Sequence, residues 1–125
     1  MDRALLAHNL GGDEALAATA IGALVEAAAT AAPRGKQNSF AAHGRAGYVL
    51  VERGDRQPRT LAGAFARPVG EIREEAADIM ASSISRLRSF RASLDKAYGT
   101  AAEASAEMEV GGEGTLAEIL AFARG

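Results

Sequence analysis

The stretch between Asp13 and Pro33 constrains the fold more than any other part of the chain. Asp13 can offer its carboxylate to the free amides of a helix start, and Pro33 lacks the amide a helix needs to continue. Between them stand ten alanines, a ridge of Leu16, Ile21, Leu24 and Val25, and only two charges, Glu14 and Glu26. That pattern predicts a helix over 14–32 whose small side chains let a neighbour approach closely. A helix so poor in charge is expected to pack against a sheet.

Alanine also sets the energetics. Thirty of the 125 residues are alanine, against six aromatics and no Trp. An alanine side chain removes little surface from water, and each apolar Å² contributes only about 25 cal/mol. The 48% hydrophobic content therefore overstates the driving force. A shallow core is expected, with stability that is marginal alone or borrowed from a partner.

Other elements follow from caps and periodicity. Asp2 can cap a short helix over 3–10, ended by Gly11 and Gly12 in left-handed conformation. Runs at 37–43, 47–53 and 60–66 read as short strands, with Tyr48, Val49, Leu50 and Val51 nearly continuous and so suited to a central strand. Ile72, Ala76, Ile79, Ile84, Leu87, Phe90, Leu94 and Tyr98 recur every three to four residues, predicting a long amphipathic helix over 71–98. Its acidic start at Glu71, Glu74 and Glu75, and its basic end at Arg86, Arg88, Arg91 and Lys96, suit the helix dipole. Residues 107–110 could form an edge strand, and 111–114 a glycine-rich hinge. Thr115 and Glu118 form a capping-box pattern ahead of a last helix.

Most catalytic chemistry lacks its residues. There is no Cys, which excludes disulfides and thiolate metal sites. His8 and His43 stand far apart with no carboxylate at ligand spacing, so no metal or other cofactor is expected. No serine sits in a nucleophile elbow. Gly35-Lys36 resembles part of a phosphate loop, but Thr30 and Gln37 occupy positions where that loop needs Gly and Ser or Thr. The expectation is that the chain is not an enzyme. Neither a signal peptide nor a membrane span is visible, which suits a cytoplasmic location without membrane partners.

Charge is distributed unevenly. The net value is −2, yet residues 34–73 hold eight basic and three acidic side chains. A phosphate backbone responds to such a local field rather than to the total. Within it, Arg34, Gly35, Lys36, Gln37 and Asn38, followed by Ser39 and Phe40, gather cations, amide donors and an aromatic ring. Single-stranded RNA recognition uses those groups. The same residues also fit an ordinary helix-to-strand turn with Phe40 in the core.

Several segments resemble a known family in order and spacing. These are Leu5-Leu6-Ala7-His8-Asn9-Leu10-Gly11-Gly12, Pro33 with Gly35-Lys36-Gln37-Asn38-Ser39-Phe40-Ala41-Ala42, Tyr48-Val49-Leu50-Val51, Arg56-Gln57-Pro58, Leu61-Ala62-Gly63-Ala64-Phe65 and Pro68-Val69. Over 2–69 the chain resembles the C-terminal part of the CasC family, the repeated backbone subunit of the type I-E CRISPR Cascade complex. From 71 onward the likeness thins to helix patterning.

The resemblance implies an α+β fold: part of an RRM-like (ferredoxin-like) palm with a short antiparallel sheet, a packed Ala-rich helix and a long C-terminal helix. It divides the chain into the palm portion at 1–70, the long helix at 71–99, and a loop with a terminal helix at 100–125 on the same domain. It implies non-catalytic binding of CRISPR RNA in antiviral defence, through Arg34, Gly35, Lys36, Gln37 and Asn38. Partners would be other Cascade subunits, copies of itself, and target DNA through the guide. The family's first palm strand, first RNA-gripping helix and finger and thumb insertions precede the matched part. The chain is thus expected to be a fragment, a split-gene half or a subdomain. The alternative role is a structural half that completes a partner's fold without touching RNA.

Overall fold

Each of the four α-helices among the described residues starts on a side chain that accepts a hydrogen bond from an otherwise unpartnered amide. In the computed structural model, which describes residues 1–31, 44–70 and 78–125, Asp2 accepts from the Leu5 amide at 2.9 Å ahead of α1 (Arg3–Asn9). Asp13 does the same for Leu16 at 2.8 Å ahead of α2 (Glu14–Thr30). Asp78 accepts from Ala81 at 2.9 Å ahead of α3 (Ile79–Tyr98). Thr115 and Glu118 close a reciprocal capping box on α4 (Leu116–Arg124). Each such cap contributes about 1 kcal/mol, which matters in a chain with a small core.

Among the described residues, strands β1 (Tyr48–Arg53) and β2 (Ala104–Glu109) pair antiparallel in a two-stranded sheet. Backbone bonds from Val110 to the Gly47 carbonyl and from Glu103 to the Arg53 carbonyl mark its two ends. The fold is therefore α+β. The chain divides into two units, one made of Met1–Val51 with Ala106–Gly125, the other of Glu52–Ser105.

In the first unit α2 has α4 as its main neighbour, with α1 also against it. The face of α2 that turns inward carries Ala17, Gly22 and Ala29, all buried, with Ile21 and Val25 half-buried. Leu16 and Leu24 stay about half exposed. Half of the ridge expected from sequence, Ile21 and Val25, thus lies on the inward face beside the small residues, and the main packing partner is a helix rather than the expected sheet, with its own large buried group. That group is Ile119 of α4, the largest fully buried side chain of the described residues. Arg124 lies over Gly22, where no Cβ holds it off.

The second unit contains α3 and a short 3-10 turn, Ala62–Phe65, packed on it. The Phe90 ring fits against Gly63, 2.7 Å from where a Cβ would stand, and Ala64 and Ile84 are buried. This corrects the expected strand over 60–66. Its apolar residues follow the spacing of a tight turn over Phe90. The long helix starts at Ile79, later than the stripe suggested, because Asp78 is extended (φ −145°) and acts as its cap. Residues 71–77, with the acidic residues expected in the first turn, and the expected strand at 37–43 lie outside the described residues.

The glycine-rich segment after β2 forms a hydrogen-bonded turn. Gly112 donates to the Glu109 carbonyl at 3.0 Å, and Glu109 to that of Glu113 at 2.9 Å. Among the described residues no helix is long and apolar enough to cross a membrane.

Candidate functional site

Among the described residues, a dense polar arrangement lies in the second unit, where strand β1 leaves its apolar run. Val49, Leu50 and Val51 give way to Glu52, the first carboxylate of the strand. Arg59 follows after a polar loop, and Arg91 and Asp95 stand one turn apart on α3. Helical spacing puts Arg91 and Asp95 on one face. Glu52 Oε1 accepts from Arg91 Nε at 2.8 Å and from Arg59 Nη2 at 3.1 Å. Arg59 Nη1 donates to Asp95 Oδ1 at 2.5 Å. All four side chains are at least three-quarters covered.

Two cations and two anions thus balance one another. The hydrogen bond from Arg59, with its charge, holds the Asp95 carboxyl below the usual carboxylate range. Hydrogen bonding to Asp95 in turn raises Arg59, against the opposing effect of burial. Ion pairs at this depth are weak evidence of net stabilisation, but removing one partner strands the others. Within the second unit the arrangement ties Glu52 and the loop at Arg59 to the helix.

The sign of the acid response follows from Asp95. Its carboxyl titrates lower when folded than when unfolded, so its contribution is present above about pH 4 and fades as the pH falls through the folded value. Wild type is expected to exceed Asp95→Asn in denaturant midpoint at pH 7, with the gap closing on acidification below about pH 4. A gap independent of pH would show that the pairing does not act through the carboxylate charge.

Beside this cluster, within the same unit, the 56–60 loop and the end of α3 line a groove of about 430 Å³. Arg56, Gln57, Arg59 and Thr60 form one wall, and Leu94, Tyr98, Gly99 and Ala101 the other. Tyr98 is 82% exposed.

The residues singled out from sequence for RNA, Arg34, Gly35, Lys36, Gln37 and Asn38, all lie outside the described residues, as does His43. The basic residues of the long helix are described, and their roles are tertiary as well as dipolar. Arg91 reaches Glu52, and Arg86 donates to the carbonyls of Arg67 at 2.8 Å and Pro68 at 3.2 Å. Only Lys96 falls in the last turn. Sequence reading missed the four-residue cluster. One signal was available: Arg91 shares the apolar stripe with Phe90 and Leu94, and a charge there needs a partner.

None of these arrangements defines a reaction, and the class of protein emerges from comparison. The family model for CT1975-like proteins, a group of CRISPR-associated (Cas) proteins, matches residues 1–120. The chain belongs to this CT1975-like family. A comparison with curated proteins gives no match.

Proposed function

We propose that this chain is the C-terminal portion of a non-catalytic, CRISPR RNA-binding backbone subunit of CasC type, acting in a type I-E Cascade complex in the cytoplasm. The observation that carries the proposal is the family match across residues 1–120, which includes the basic 34–38 segment. The local charge supports it, since eight of the fourteen Lys and Arg side chains fall between residues 34 and 73. In this reading the chain forms part of an RRM-like palm. It binds the guide together with other Cascade subunits and copies of itself, and meets target DNA through the guide.

Arg34, Lys36, Gln37 and Asn38 would act on the RNA backbone, with Gly35 allowing close approach. Replacing both Arg34 and Lys36 with Ala is expected to weaken binding to single-stranded RNA. It should also flatten the dependence of log affinity on log salt by about 0.7 for each phosphate that these two cations neutralise. Filter binding at a series of salt concentrations measures this. An unchanged slope would remove the two residues from the RNA path.

One observation favours a second reading, in which the chain completes a partner's fold without touching RNA. Leu5, Leu16 and Leu24 are 56%, 48% and 51% exposed on α1 and α2. Three half-bare leucines on two adjacent helices are what a missing neighbour would leave. Stable co-purification with the remainder of the subunit, and no RNA retention by the chain itself, would select this reading.

A further inference from the structure

We propose that the groove between the 56–60 loop and the end of α3 holds one nucleotide unit of single-stranded RNA, with Arg56 on the phosphate and Tyr98 under the base. The inference rests on the RNA-binding reading above and adds to it a binding site separate from residues 34–38. At about 430 Å³ the groove falls within the range of about 300–1,000 Å³ typical of ligand clefts.

Its chemistry matches the two halves of a nucleotide. Among the described residues no carboxylate lines the groove. Asp55 neighbours Arg56 in the chain but is not part of either wall. Of the two cations present, Arg59 is committed to Glu52 and Asp95. Arg56 is exposed and makes no hydrogen bond or ion pair among the described residues. Its Nη1 lies 3.2 Å from where a Cβ on Gly99 would stand, so the absence of that atom admits the guanidinium to the helix end. That places its charge at the negative end of the α3 dipole, where a cation is favourable, and its planar fork has donors for a phosphate.

The apolar half is Tyr98. A large ring at 82% exposure on the last turn of a helix contributes little to folding. Its faces are open to a base, and stacking on such a ring tolerates any base. Gln57 and Thr60 add polar groups at the opposite wall. A site of this composition grips RNA without reading its sequence, as a protein bound along a variable guide requires.

Fluorescence anisotropy of labelled oligouridylate on the full chain, across a salt series, tests the site. Tyr98→Ala and Arg56→Ala are each expected to weaken binding about tenfold. Arg56→Ala should also lower the salt slope by about 0.7, and Tyr98→Phe, which keeps the ring, should bind like wild type. Wild-type affinity in both alanine variants would overturn the groove while leaving the wider RNA reading to the Arg34 and Lys36 variants. A loss in Tyr98→Phe equal to that in Tyr98→Ala would overturn the stacking role. No binding by wild type would overturn both readings together.

Discussion

Ile119→Ala is expected to cost about 2–5 kcal/mol, the range for emptying a buried aliphatic site, and to unfold much of the first unit at moderate urea. Ile119 is 0% exposed and is the largest fully buried side chain of the described residues. It lies on α4, whose packing partner α2 carries small buried residues on its inner face. Ala17, Gly22 and Ala29 have no side-chain length with which to close a cavity. Leu16→Ala supplies the contrast. Leu16 is 48% exposed, so its truncation should cost less than about 1 kcal/mol. Urea melts followed by circular dichroism measure both. Equal losses for the two variants would mean that the α2–α4 packing is not the core of the unit.

The second large effect concerns Gly114, at the entry to α4. Its φ is +80°, and a Cβ there would run into the backbone carbonyl of Glu107 and lie 3.0 Å from the Met108 Cα. Both obstacles are main-chain atoms of β2, so no side chain can swing aside. Gly111 has nearly the same φ, +85°, but a Cβ on it meets nothing within 4 Å. The two positions separate conformational cost from steric cost. Gly111→Ala should lose about 1–2 kcal/mol, the penalty for a left-handed residue with a side chain. Gly114→Ala should lose distinctly more, because β2 must move or the Thr115 capping box must open. Thermal melts of the two variants provide the comparison. Equal midpoints would show that the Gly114 turn adjusts freely.

Both predictions fall on features only partly legible in the chain. The Thr115–Glu118 capping box was readable because its chemistry is local, within three residues. So were the Asp2 and Asp13 caps and the left-handed Gly11 and Gly12, at φ +73° and +86°. Hydrogen bonds that close within one turn depend on neighbours in sequence, and sequence reports them directly. Asp78 shows where this reading ends. It has the same capping chemistry, but it stood inside an apolar stripe that continued on both sides, and periodicity outweighed the cap.

The 60–66 segment shows a second limit. A short apolar run fits a strand or a tight turn equally well, and only the Phe90 ring against Gly63 decides between them. The Arg59 cluster is a third case. Its pairs bridge 7, 36 and 39 positions. Sequence could show that Arg91 needed a partner but not that Glu52 would be that partner.

The Ala-rich segment that begins at Asp13 divides the two kinds of knowledge. Its residues alone determined a helix, its cap and a shallow core, because propensity and side-chain volume are properties of the residues themselves. Tertiary structure decided which face turned inward. Leucines were the natural choice by hydrophobicity, but the face turned to the neighbouring helix is the one where Ala17, Gly22 and Ala29 permit close approach beside Ile21 and Val25. Local chemistry is written in the order of the residues. The choice among apolar faces depends on the shape of what lies opposite, which a linear sequence does not display.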